Sequence, residues 1–417
     1  MQDLNFMNNQ KISARQVKRT LTLELLGIST LLLPSLVASR SGVDGFFALA
    51  AGGGCAWLLL IFWQKYFQKT DFYECVDAFV AELRFPILIF YGTGFLGIAG
   101  YTLYLLTSLI ENQLLGKKWE VVIVLTLTGA AFFGLLRGLE CRVRVYEVLY
   151  FFLLIPLLVI LGLACAGIDP DAWTPVAASS VSNFLQSIYL SFLFFSGISL
   201  YTLFQPSCKN PKAAYRGTNH ALFVVLGLNL VIYLILLGVF RSELLAHLDW
   251  PVIDLMAVVK LPGNFLERQD ALMVGIWFFC LFAFLDSMLF YAVEFWVKLF
   301  PIKNEMCVSS TKSERKIQKE TSTHNRDGEQ NKVCNRTGEQ NKNREKAQDS
   351  MQRVGKQQKC KLLLTGILTV AVLGVAFLLL QYEALAERMF SCYLYGILPS
   401  MLLLPLLLGI GHRRSGN

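Results

Sequence analysis

The sequence predicts an all-α polytopic membrane protein of about ten transmembrane helices, arranged as two sets of five in opposite orientation. Three observations lead there. The 417 residues are 54% hydrophobic with 31 Phe, and the mean hydropathy of +0.49 is too high for an ordinary soluble domain. The apolar residues gather into runs of about 20, the length that crosses a hydrocarbon core. Two of those runs, at equivalent places in the two halves, are interrupted in the same way.

The first interrupted run spans residues 21–38 and holds Leu25-Leu-Gly-Ile-Ser-Thr-Leu-Leu-Leu-Pro-Ser35. Gly27 weakens a helix, Ser29 and Thr30 can bond to the backbone in place of the helical ladder, and Pro34 removes a donor. The second is Phe194-Phe-Ser-Gly-Ile-Ser-Leu-Tyr-Thr-Leu-Phe-Gln-Pro-Ser207, which repeats Gly-Ile-Ser and again ends in Pro-Ser. Short spans broken at corresponding positions mark the binding site of transporters built from inverted repeats. Spans one and six are therefore expected to be broken.

In order, the spans fall at about 20–38, 43–63, 85–110, 119–137, 145–166, 184–204, 219–240, 271–300, 361–381 and 391–410. The second contains Gly52-Gly53-Gly54, which lets another helix come close. In the third, Gly92, Gly94, Gly97 and Gly100 make a packing face, and Tyr91, Tyr101 and Tyr104 are candidates to line a cavity. The chain divides into residues 1–300 with spans one to eight, a basic low-complexity block at 301–360, and residues 361–417 with spans nine and ten of the same domain. The start resembles a signal peptide, with Val37-Ala38-Ser39 as a weak cleavage site. Glu24 inside the run and the many spans after it argue for a retained segment.

Alternate loops carry the basic residues: four in the N-terminal tail, then Lys65, Lys69 and Arg84, then Arg137, Arg142 and Arg144, then Lys209, Lys212 and Arg216. These loops, both termini and the 301–360 block are expected in the cytoplasm. The 167–183 loop has no Lys or Arg and holds Asp169, Asp171 and Trp173, the last a candidate interface anchor. Lys117-Lys118 runs against the pattern.

The net charge of +8 does not point to nucleic acid, because residues 303–360 alone hold 14 Lys/Arg against 8 Asp/Glu. That block repeats Gly-Glu-Gln-Asn-Lys at 328–332 and 338–342 and has almost nothing to bury. The ten cysteines include no C-x-x-C pair, so neither zinc nor a redox dithiol is indicated. His220, His247, His324 and His412 form no catalytic pattern with Ser, Asp or Glu, and no phosphate-binding glycine loop is present. An enzyme is not expected, nor a cofactor.

Intramembrane acids are costly and mark function by default. Asp286 is the deepest and is a candidate coupling carboxylate; the competing reading is a carboxyl kept neutral or hydrogen-bonded to a neighbouring helix. Glu24 and Glu294 lie near the cytoplasmic ends of their runs, where each can reach water. The broken spans supply a ligand site. The N–H end of a broken helix attracts a carboxylate and the C=O end an ammonium, and an α-amino acid carries both. The expected substrate-binding residues are Gly27, Ile28, Ser29 and Thr30 with Phe195, Ser196, Gly197, Ile198 and Ser199.

Three stretches resemble a known family. They are Ile12-Ser-Ala-Arg-Gln16 leading into Gly27 and Leu32-Leu-Pro-Ser35; Phe194-Phe-Ser-Gly197 continuing through Gln205-Pro206 to Lys209-Asn-Pro-Lys-Ala213; and Pro262-Gly-Asn-Phe-Leu-Glu-Arg-Gln-Asp-Ala271 followed by Ile276-Trp277. The chain, outside 303–360, resembles the spore-germination permeases, the B-type membrane subunits of nutrient germinant receptors, within the amino acid–polyamine–organocation transporter superfamily. The resemblance implies a LeuT-like 5+5 inverted-repeat fold with spans one and six unwound around an amino-acid site. It also implies two partners, an A-type membrane subunit and a C-type lipoprotein, in the spore inner membrane or plasma membrane. Glu267, Arg268 and Asp270 match the family's charged motif before span eight. The basic insert, Asp286 and Glu24 stand outside what the resemblance explains.

Three readings follow: a receptor subunit that binds a small amino-acid-like nutrient, a proton-coupled amino-acid permease, and a scaffold with a vestigial site. Asp286 favours the second and the resemblance favours the first.

Overall fold

The structure is a computed structural model and describes residues 12–67, 84–115, 117–200, 208, 210–258, 269–299 and 361–403. Helix α1, Ala14–Ser41, begins at a capping box: Gln16 N–H donates to the Ser13 hydroxyl at 3.4 Å, and Ser13 N–H to Gln16 Oε1 at 3.0 Å. It is buried around its whole circumference, from Leu21 through Leu25 and Leu26 to Leu33, so it is the central helix. A short 3-10 turn, Gly42–Asp44, leads into α2, Gly45–Phe67. Asp44 clamps that turn by accepting from Ala177 N–H at 2.5 Å and Ser179 N–H at 2.9 Å.

Helices α3, Arg84–Ile110, and α4, Glu120–Ala164, follow. The loop expected at 137–145 is helical in the structure. Spans four and five join as one long element that bends at Gly138, whose φ of 77° suits a residue without Cβ. At 1.5 Å rise per residue about 20 residues cross the hydrocarbon core. The 52-residue stretch Ala14–Lys65 and the 48-residue stretch Glu120–Gly167 are thus long enough for two crossings each.

Helix α5, Val181–Ser196, is capped by Ser180 and passes into a 3-10 turn, Gly197–Leu200. Helix α6, Pro211–Leu245, starts at an Asn210 cap and deviates at Arg241. Then come α7, Pro251–Val258; α8, Gln269–Leu299; α9, Lys361–Gln381; and α10, Glu383–Cys392. A π turn, Tyr393–Ile397, carries α10 into a helical segment described to residue 403, the start of the span expected at 391–410. Seven described helical stretches are long and apolar enough to cross a membrane, and the chain is an integral membrane protein.

α1 packs against α6 and α8, α2 against α5, and α8 along α3. The small residues of α3 face partners as expected: Gly92 lies under Trp296, Gly97 under Tyr393 and Gly100 under Val375. The outer face of α4 shows Val148, Phe151, Phe152, Ile155 and Val159, apolar surface suited to lipid tails. The Trp173 indole donates to Leu234 O on α6 at 3.1 Å, which holds this loop against that helix. Beside it the exposed Arg241–Asp169 pair closes at 2.8 Å. That hydrogen bond and the Asp171 N–H hold the Asp169 carboxyl below the usual carboxylate range. The block at 301–360 lies outside the described residues.

Candidate functional site

A cavity of about 140 Å³ opens where the end of α5 meets α1, α3, α8 and the segment after α10. Leu25 and Ile28 of α1, Tyr91 and Phe95 of α3, and Phe284 and Met288 of α8 form part of its wall. Tyr393 and Met401 close the far side, and Tyr91 fixes that side by donating to Met401 O at 2.7 Å. Polar atoms come chiefly from Ser196, Ser199 and the tyrosines, so the chamber favours an apolar occupant with few polar groups.

The expected site residues divide. Ile28, Ser196, Gly197 and Ser199 line the cavity. Phe195 and Ile198 are buried at 0% and 1% exposure and face packing elsewhere. Gly27, Ser29 and Thr30 do not line it, and the expected break in span one is absent: α1 runs through them and past Pro34 as one helix. The side chains explain why. Ser29 donates back to Leu25 O and Thr30 to Leu26 O, each at 2.6 Å, so both hydroxyls are satisfied inside the helix. Asn229 then donates to Ser29 at 3.0 Å and the Trp277 indole to Thr30 at 2.9 Å, locking α1 to α6 and α8. Gly27 serves close packing, since a Cβ there would stand 2.8 Å from Cys280 Cβ and 3.0 Å from its backbone carbon.

Span six behaves as expected up to residue 200. The α-helix gives way at Gly197, against the cavity. Residues 201–207 and Lys209, with the Gln205-Pro206 stretch, lie outside the described residues, as do Glu267 and Arg268; Asp270 lies in the first turn of α8. The two Gly-Ile-Ser segments are therefore built differently, one as a packed helix and one as a helix end. Between them, Ile12 and Cys208 form a parallel bridge that ties the entry to α1 to the entry to α6.

Behind the cavity lies a buried polar cluster. Asp286 is 4% exposed and pairs with Arg142, which is 5% exposed. Arg142 also donates through Nη2 to Ser287 at 2.9 Å, and Tyr146 donates to Asp286 Oδ2 at 2.9 Å. Ser287 in turn donates to Glu24 Oε1, and Glu24 is fully buried instead of reaching water. Glu294 does lie near the surface, paired with Lys361 at 2.6 Å. The loop expectation hid Arg142. A signal was present: Leu139, Arg142, Tyr146, Tyr150, Leu153 and Leu157 fall on one stripe at helical spacing, and all are buried. Among the described residues no group of His, Cys, Asp and Glu is arranged to hold a metal ion.

Comparison with known proteins points one way. The profile of a permease family described as spore germination protein matches residues 11–312. The Bacillus subtilis (strain 168) spore germination protein YndE is 23% identical over 283 residues, covering 67% of this chain and 78% of the relative. Spore germination protein A2 of the same organism is 22% identical over 259 residues, covering 61% and 71%. Spore germination protein B2 is 22% identical over 274 residues, covering 65% and 74%. Among solved structures, a substrate-bound, outward-open Na+-coupled sialic acid symporter aligns with a TM-score of 0.56 over 93% of this chain and 79% of that one, at 12% identity. That likeness shows the fold, which is LeuT-like as the family resemblance implied.

Proposed function

The chain belongs to the spore germination protein family, and we propose that it is a nutrient-germinant receptor subunit whose cavity binds a small amino-acid-like ligand with an apolar side chain. The observation that carries this reading is the end of α5 at Ser196–Ser199, set against an apolar chamber bounded by Ile28, Phe95 and Met288. The C-terminal end of a helix carries partial negative charge, which suits an ammonium group even though Gly197 N–H already donates to Phe194 O and Phe195 O. The apolar wall suits the ligand's side chain. The N–H groups of α1 at Gly27–Thr30 lie within a continuous helix, so they are not part of this proposal.

The protein would act in the spore inner membrane or plasma membrane of an endospore-forming bacterium, with an A-type membrane subunit and a C-type lipoprotein as partners. Thermal unfolding of the purified protein in nanodiscs, against a panel of amino acids, tests the site. Amino acids with aliphatic side chains should raise the unfolding temperature, acidic and basic ones should not, and Ile28→Trp should remove the effect by filling the chamber. A panel with no aliphatic response would sink the reading.

A proton-coupled amino-acid permease is the second reading, supported by the symporter fold and the buried acids. Uptake of the best ligand into proteoliposomes under an imposed pH gradient separates the two: a receptor binds without accumulation.

A further inference from the structure

The charges of the cluster behind the cavity do not balance. Two acids, Glu24 and Asp286, share one guanidinium, Arg142, and all three are buried, at 0%, 4% and 5% exposure. Among the described residues no nearby charge makes up the difference. The groups acting on Glu24 are Arg142 and Asp286, with Tyr146 beside them. Arg15 and Arg19 are engaged with Glu147. α5 carries no charged residue, and neither do residues 221–240 of α6. Fully ionised, the cluster would hold one uncompensated negative charge away from water, an arrangement proteins avoid by neutralising a group.

The hydrogen bonds say which acid is neutralised. Asp286 Oδ2 takes Nε–H of Arg142 and the Tyr146 hydroxyl, the latter at 2.9 Å with Ala283 O as its longer alternative acceptor at 3.1 Å, two donors that favour the carboxylate. Among the described residues Glu24 takes one donor, the Ser287 hydroxyl, at Oε1. Its Oε2 is buried without a hydrogen-bond partner among the described residues, as is Asp286 Oδ1, so it is the number of donors, two on Asp286 against one on Glu24, that separates the two acids. We propose that Glu24 is a proton-binding site, taking one exchangeable proton at Oε2 and so bringing the cluster from one negative charge to neutrality. An O–H bond forms with a proton drawn from bulk water, and no other bond changes. A metal cation would need a shell of several oxygens, and the guanidinium already stands among the oxygens present.

The position of this proton bears on the cavity. Glu24 and Ser287 join α1 to α8, and their chain neighbours Leu25 and Met288 line the chamber. Protonating Glu24 changes the bond between the two helices that wall the ligand space. The proton site itself stands whether or not the chamber takes an amino acid.

Infrared difference spectroscopy of the full-length protein in nanodiscs, between alkaline and acidic buffer without ligand, tests it. The wild type should show a protonated-carboxyl C=O band that shifts in heavy water, and Glu24→Gln should abolish it. In Asp286→Asn the remaining acid and guanidinium balance one to one, so the titration midpoint should move to more acidic pH. The proposal is overturned if the band survives Glu24→Gln, or is absent from the wild type. It is equally overturned if the band answers to Na+ at fixed pH in place of protons, if Asp286→Asn leaves the midpoint unmoved, or if Glu24→Gln, which mimics the neutral acid, fails to fold.

Discussion

Arg142 and Asp286 pair inside the helix bundle with side chains only 4% and 5% exposed, joining the bent α4 to α8. Taking both charges from water is expensive, and their attraction offsets that cost only while both are present. Arg142→Ala should therefore destabilise the protein by about 3–5 kcal/mol, since it strands a buried carboxylate. Replacing both partners, as Arg142→Met with Asp286→Leu, should recover most of that loss. Chemical or thermal unfolding in detergent, run as a double-mutant cycle, checks this. A double variant that loses the sum of the two single losses would mean that the pair adds nothing beyond packing.

A different kind of cost sits at Arg241. Its φ of 58° with ψ 161° is a backbone conformation that essentially only glycine adopts without strain. Its side chain pairs with Asp169 at the surface, where an ion pair contributes little. Arg241→Gly should raise stability, by roughly 1 kcal/mol after the glycine's extra unfolded-state entropy. Arg241→Ala keeps the strain and loses the pair, so it should fall below wild type. The order glycine, wild type, alanine in unfolding temperature is the expected result, and the reverse order refutes the strain argument.

The family match stops at residue 312, just inside the basic block, and the block's composition offers no apolar face. Flexible loops add closure cost only slowly with length. Deleting residues 308–355 should leave expression, folding and cavity binding close to wild type, measured by size-exclusion profile and ligand-induced thermal shift. A deletion that kept binding but lost germination would make the block a partner-docking segment.

Apolar run length made the helices legible, and the repeated Gly-Ile-Ser pointed correctly to the end of α5. The same tripeptide misled at α1 for a physical reason. Glycine, serine and threonine weaken a helix on its own, yet Ser29 and Thr30 bond back to their own helix while Asn229 and Trp277 hold them from outside. Composition cannot tell a broken helix from one so braced. Asp286 stood out as a charge in an apolar run, but Arg142 was hidden because a basic residue near a predicted loop is counted toward orientation. Its partner lies 144 positions away, and only the three-dimensional crossing of α4 with α8 brings them together.

The two glycines of the repeated motif should now respond differently to the same substitution. At Gly27 a new Cβ would meet Cys280 Cβ at 2.8 Å and the backbone of residues 280–281 at 3.0 and 3.1 Å. Backbone cannot step aside, so α1 and α8 must separate, and overpacking of this sort costs about 1–3 kcal/mol or more. Gly27→Leu should therefore lower stability and binding together. At Gly197 a new Cβ would meet only the tip of Leu25, at 2.9 Å, and the backbone is in an ordinary right-handed conformation. Leu25 can swing away, and both the added side chain and the displaced one would take up space in the chamber that they share. Gly197→Leu should keep the wild-type unfolding temperature and size-exclusion profile while losing ligand binding by at least tenfold, about 1.4 kcal/mol. If Gly197→Leu binds as wild type does, the end of α5 is not the ligand site, whatever becomes of Gly27.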